Sequence, residues 1–453
     1  MSFLISLYLL WIAFAAKRLI RLPLPRPADV IQLSLFFYNV PLAFSALLSD
    51  TEFLADYAIF LNSIAGDHGL AEQTLLLTIS ASLAVSAGRR LGTWRLADYV
   101  YEWSTPITSD LQRTAAWFCL GSLVLVWAGI ALFGVDTFFA GYAIESTSGL
   151  STEGVALTFF AYEVIGVGSF IWFLAKRHTN RKDGRIHVGL AIACLVGITV
   201  IRGKRLELII ALLPLFLLLW STVLVRPIHR IAVIFSVVMA ISAMASIRQG
   251  EVPDAASLAF NTFSEGLYAG HVTPGVIEAV QHGGLPTENG MRFVAAIAAF
   301  IPRFLLPNKD ELIYKSLTDI GQFAPQGATS FLAETYLQGG LVAVTVWFTL
   351  IGFIGGRFEL DRFSSTRPEL PIKVMLYALF VCSFVPHFRD GLIPAIKIPM
   401  QLLLAVAVIL FVSSARINRR RRSLKKHVTF RRIAESTDSV SPMTATSSAP
   451  EIP

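Results

Sequence analysis

The stretch HVGLAIACLVGITVIRGKRLELIIALLPLFLLLWSTVLV, residues 187–225, decides the fold class. Two apolar runs, 187–201 and 206–225, are separated only by Arg202-Gly203-Lys204-Arg205. Each run approaches the roughly 20 residues that a helix needs to cross about 30 Å of hydrocarbon. The first is short and would draw on its flanks or on local bilayer thinning. So tight a turn between two apolar helices implies a membrane hairpin with three cations at its tip.

Working outward, nine more segments share this character: 2–20, 30–48, 70–88, 114–134, 154–175, 231–246, 331–356, 372–388 and 393–415. The expectation is an all-α polytopic membrane protein of about eleven transmembrane helices. Composition agrees, with 54% hydrophobic residues, 15% charged and a mean hydropathy of +0.62 over 453 residues. A soluble domain carries about 25% charged residues, so an ordinary cytosolic enzyme is excluded. Cys119, Cys194 and Cys382 lie singly inside apolar runs, which leaves neither a disulfide framework nor a zinc knuckle.

Basic residues orient the helices, because cytoplasmic loops are enriched in Lys and Arg. With eleven spans, all but ten of the 38 Lys and Arg fall on one face, taken as cytoplasmic. Lys17, Arg18 and Arg21 lie there, as do Arg89 and Arg90, Lys176 to Arg185, Arg226 and Arg230, and Arg357. The opposite loops 49–69 and 135–153 contain no Lys or Arg. The N-terminus is then external, and with no basic residue ahead of the first span a cleaved signal peptide is not expected. Residues 1–415 form the membrane domain, with a long extracytoplasmic loop at about 247–330. Residues 416–453 are read as a basic, then disordered, cytoplasmic tail that meets anionic lipid rather than nucleic acid.

The ten exceptions are more informative. Arg202, Lys204 and Arg205 occupy the hairpin tip; Arg248, Arg292, Arg303, Lys309 and Lys315 lie in the long loop; Arg389 and Lys397 flank the last external turn. Cations against the topological bias need a compensating partner, and a planar guanidinium suits the oxygens of an anion such as pyrophosphate. Pairing with Glu207 or lipid phosphate is the bland alternative. Within the loop, residues 291–306 are apolar but would reach only about 24 Å as a helix, which favours an interfacial or re-entrant segment interrupted at Pro302. Glu265, His271, Asp319, Glu334 and Asp390 are candidate proton acceptors on this face. Glu334 stands out at the mouth of a span, where an ionised carboxylate needs a partner. Glu163 lies mid-span, where a transporter would want a carboxylate. Phosphate-binding glycine loops, metalloprotease and hydrolase motifs are absent from the sequence.

Three stretches resemble the oligosaccharide repeat-unit polymerases of bacterial surface polysaccharide, the O-antigen polymerase or Wzy-like family. Gly203-Lys204-Arg205 is similar to the family's short external Gly-x-Arg motif; Ile301-Pro302-Arg303 through Pro307-Asn308-Lys309 resembles its loop signature; Pro325-Gln326-Gly327 through Gly339-Gly340 resembles the return into the membrane. Arg389-Asp390 is a weaker match.

The resemblance implies a metal-independent, cofactor-free glycosyltransferase with a GT-C-type arrangement, in the bacterial inner membrane with its active face extracytoplasmic. It would move a growing glycan from polyprenyl pyrophosphate onto the next lipid-linked repeat unit, with a chain-length regulator and a flippase as partners. Arg205 and Arg303 would then be catalytic, with Glu265, His271 or Glu334 as the base. Arg202, Lys204, Lys309 and Arg389 would bind substrate. Unit charges 4 Å apart interact by about 4 kcal/mol at an effective dielectric of 20, so a few cations can stabilise a departing pyrophosphate appreciably. A ligase of the same fold, a lipid or polysaccharide transporter, and a non-catalytic assembly subunit are the competing readings.

Overall fold

The computed structural model describes residues 2–22, 24–48, 68–94, 105–134, 152–176, 183–201, 205–224, 226–248, 269–301, 329–359, 375–381 and 391–438, with 305–308, 311–313, 323 and 388. No strand occurs among them. The helices are α1 (Ser2–Arg21), α2 (Pro27–Leu48), α3 (His68–Thr93), α4 (Thr105–Phe133), α5 (Thr152–Lys176), α6 (Arg185–Ile201), α7 (Arg205–Thr222) and α8 (Pro227–Arg248). They continue with α9 (269–281), α10 (Met291–Phe300), α11 (Phe331–Leu337), α12 (Gly340–Phe358), α13 (375–381) and α14 (Leu392–Asp438).

Gly69–Thr93, Ser109–Leu132, Gly340–Phe358 and Leu392–Ile417 are each long and apolar enough to cross a membrane, and shorter apolar helices accompany them. The protein is therefore a helical, multi-pass membrane protein.

Two features depart from the sequence reading or extend it. The segment 331–356 is not one helix: it breaks at Gln338-Gly339, where Gly340 takes a φ of +62° that only glycine adopts without strain. Phe331 nevertheless packs edge-on against Phe348, eight residues into α12. The short α11 therefore runs back alongside the first turns of α12 and begins inside the bundle. The second concerns the basic run after the expected span end at 415, for which the sequence reading gave no secondary structure: α14 continues through it to Asp438. Residues 400–438 contain neither Gly nor Pro, and Arg and Lys are good helix formers, so nothing there stops the helix. The apolar loop segment is helical only to Phe300, in line with the interruption expected at Pro302, because a residue before proline disfavours the α conformation and Ile301 is extended.

Close packing of α3 on α12 is achieved by glycines on both helices. A Cβ on Gly88 would strike the Thr349 carbonyl and one on Gly92 the Phe353 carbonyl; reciprocally, Gly352 faces the Val85 carbonyl and Gly356 that of Arg89. Both pairs are spaced four apart, the small-residue pattern that lets membrane helices approach backbone to backbone.

Charged residues gather where these helices end. Arg18 holds Asp29 through two nitrogens, at 2.6 Å and 3.0 Å. Arg89 grips Glu359 at 2.6 Å and 2.7 Å, with Arg26 3.2 Å from the same carboxylate. Arg230, 3% exposed, donates to the carbonyls of Ile20, Leu22 and Leu224 at 2.6–2.7 Å. Tyr377 donates to the Pro25 carbonyl at 2.6 Å. The C-terminal ends of α1, α3, α7 and α12 thus meet the N-terminal ends of α2, α8 and α13 at one pole, and Leu24 shares a core with Leu111 and Met375. Residues assigned to one face by the positive-inside rule therefore converge in space. Arg230 does more than orient: its guanidinium satisfies carbonyls that two helix termini leave without partners.

Candidate functional site

Far from this charged pole, α9, α10, α11 and the start of α14 meet around a buried ion pair. Gly290, at φ +88°, turns the chain into α10 so that Arg292 lies in its first turn. Ser330 caps α11 by accepting the Ala333 amide at 3.3 Å, which sets Glu334 in that helix's first turn. Arg292 and Glu334 are 0% and 1% exposed, and Arg292 Nη2 donates to Glu334 Oε1 at 3.1 Å. Glu288 stands 3.6 Å from Arg292 Nη1. Gln338 joins the three, accepting the Arg292 amide at 3.0 Å and donating to Glu288 at 2.7 Å.

The other Glu334 oxygen, Oε2, accepts the backbone amide of Leu392 at 2.6 Å. A carboxylate is thereby set at the N-terminus of the longest helix, where unsatisfied amides and the helix dipole favour negative charge. Gly391 permits this approach. Its φ is +90°, and a Cβ there would run into Glu334 Oε1 and lie 2.6 Å from Thr329 Oγ1. One turn deeper, Phe331 donates its amide to the Phe388 carbonyl at 3.1 Å. α11 therefore pins the chain on both sides of Arg389-Asp390.

A second polar cluster continues inward. Thr273 on α9 donates to Asn39 Oδ1 at 2.8 Å and lies 2.8 Å from the Ser330 hydroxyl. Asn39 is ten residues along α2 from Asp29, roughly 15 Å at helical rise, so the cluster lies well inside the bundle. Val272 and Val276 of α9 share a core with Ala333 and Leu337 of α11. On the outer flank, Phe293, Ile297, Trp347 and Ile396 line an apolar groove of about 340 Å³, and the Phe293 ring lies 4.5 Å from that of Trp347.

Of the residues singled out from sequence, Glu334 is at the centre of the site and His271 is on α9, half-buried, two residues before Thr273. Arg205 is the first residue of α7, and its side chain is not among those described. Arg202, Lys204, Glu265, Arg303, Lys309, Asp319, Arg389 and Asp390 lie outside the described residues. Glu163 is buried within α5, in the core that α4, α5 and α6 share. Arg292 was one of ten external cations in the sequence and carried no assigned role. Its spacing gave one usable signal, an Arg opening an apolar helix directly after Asn289-Gly290. Glu288 gave none, and Gln338 only its place in the stretch 325–340 that resembles a family's return into the membrane.

Among the described residues no group of His, Cys, Asp and Glu is arranged to hold a metal ion. No known family model, curated protein or solved structure matches the chain.

Proposed function

We propose that the protein is a polysaccharide polymerase of the bacterial cytoplasmic membrane, with about eleven spans in a GT-C-type arrangement. It transfers a growing glycan from polyprenyl pyrophosphate to the next lipid-linked repeat unit on the extracytoplasmic face. The observation that carries the reading is the polar assembly of α9, α10, α11 and the start of α14, opposite the arginine-rich pole. With that pole cytoplasmic, as the positive-inside rule has it, the assembly lies toward the extracytoplasmic side, the side to which the sequence reading assigns the cations of residues 202–205, 303 and 389.

The chemistry is a glycosyl transfer. The bond between the donor's anomeric carbon and its phosphate oxygen breaks, and the acceptor hydroxyl oxygen bonds to that carbon. The hydroxyl proton passes to a base, and the pyrophosphate leaves on its lipid with the bonding electron pair. Arg205, Arg303 and Arg389 receive the developing negative charge, supported by Arg202, Lys204 and Lys309. His271 or Glu265 takes the proton.

A defined test is to incubate the purified protein with a polyprenyl-pyrophosphate oligosaccharide and resolve the products. A ladder of repeat multiples is expected; no ladder from an authentic substrate overturns the reading. Cells lacking a polymerase retain single repeats at the surface, whereas polymer stranded on the carrier identifies a ligase instead.

A further inference from the structure

We infer that Glu334 and Arg292 are a positioning pair for this reaction and that the proton acceptor is another group. The inference rests on the polymerase reading and reassigns the carboxylate that the sequence alone makes the most prominent base.

Three observations carry it. First, both oxygens of Glu334 are engaged: Oε1 with Arg292 Nη2 at 3.1 Å, and Oε2 with the Leu392 amide at 2.6 Å. A base needs a lone pair directed at the hydroxyl it deprotonates; one site on each oxygen is taken by a guanidinium or a helix-terminal amide, and the remaining sites lie on a side chain closed off from solvent. Second, the space beside Oε1 is closed. Gly391 packs there so tightly that a methyl group does not fit, and Glu334 is 1% exposed. Third, Arg292 is tied to more than Glu334. Its backbone amide binds Gln338 and its Nη1 faces Glu288, so the pair locks α10 to α11 while Glu334 locks α11 to α14.

A fixed, buried negative charge with these contacts defines the relative placement of α10, α11 and α14. Phe388 and Leu392 are themselves anchored to α11, through the Phe331 amide and the Glu334 carboxylate. Displacing a substrate-positioning element by about 1 Å costs on the order of 10²-fold in rate, so such a pair is essential without touching substrate.

The test separates positioning from proton transfer with four variants in the purified full-length protein. Glu334→Gln retains an oxygen for the Leu392 amide and leaves Glu288 as the counter-charge of the buried Arg292, so some thermal stability is expected to be lost while the geometry is kept. Its kcat for chain extension is expected to fall no more than about tenfold, with KM and the shape of the pH profile unchanged. Glu334→Ala removes the acceptor and is expected to lose about 10²-fold or more. Arg292→Met leaves an uncompensated buried carboxylate and is expected to lose both thermal stability and activity. Adding Glu334→Gln to Arg292→Met neutralises the site and is expected to restore most of both.

Loss of about 10²–10⁴-fold in Glu334→Gln, together with disappearance of the acidic limb of the pH profile, identifies Glu334 as the base and overturns the inference. A double variant no better than Arg292→Met alone also overturns it. If the wild-type protein yields no ladder, the polymerase reading fails separately, and the stability of the double variant still tests whether the two residues act as a pair.

Discussion

Glu334 accepts the backbone amide of Leu392 at 2.6 Å, across 58 residues of sequence. This contact fixes where the last long helix begins, because a carboxylate held by Arg292 is presented to amides that the helix itself leaves unsatisfied.

Gly391 is the residue that admits the contact, so Gly391→Ala is the most direct perturbation. It adds a methyl group onto Glu334 in a backbone conformation that alanine resists. The expected cost is about 1–3 kcal/mol for the backbone, with overpacking adding a similar amount. A lowered thermal midpoint and loss of chain extension check this.

Arg230 is expected to matter for stability and not for chemistry. Arg230→Ala leaves the carbonyls of Ile20, Leu22 and Leu224 without their donor in a buried setting, which costs about 1–3 kcal/mol for each such group left unsatisfied. Lysine lacks the planar fork and is expected to rescue poorly. Thermal unfolding in detergent, with turnover measured on the surviving folded fraction, separates the two effects.

The α3–α12 contact gives a prediction with an internal control. Gly88→Leu or Gly352→Leu forces apart two backbones that now touch, and the protein is expected to be strongly destabilised or not to accumulate. Gly121→Ala and Gly189→Ala add a methyl group into open space and are expected to be tolerated. Yield of monodisperse protein reads both.

Arg205→Ala or Arg303→Ala is expected to leave the protein inserted and to abolish chain extension, since each removes a cation assigned to the leaving pyrophosphate. Normal polymer length at equal protein level from both variants would remove them from the mechanism.

Sidedness is open to direct measurement. With Cys119, Cys194 and Cys382 replaced, a cysteine at exposed Gln281 should react with a membrane-impermeant thiol reagent in intact cells. A cysteine at exposed Thr93, at the opposite pole, should react only after permeabilisation.

Most helices were legible because their signal is local. An apolar run such as 70–88 must be helical in a bilayer, and every residue of the signal is contiguous. The same reasoning mistook 331–356 for one segment, since hydropathy does not register the backbone turn at Gly339-Gly340. Hydropathy likewise marks the end of the last span, where the charges begin, and is silent on the helix that runs on through them to Asp438.

The site was only half legible for a related reason. Glu334 attracted notice as a carboxylate at the edge of an apolar run, which is a one-dimensional anomaly. Its partners are Arg292, 42 residues away, and Leu392, 58 residues away, and no spacing rule connects them. Composition and hydropathy determined that this is a helical membrane protein, because burial in lipid constrains each segment independently. That Glu334 is engaged by Arg292 and by the start of the last helix was decided by tertiary structure alone. Hydrogen-bond partners and closed space are properties of segments that meet only after folding.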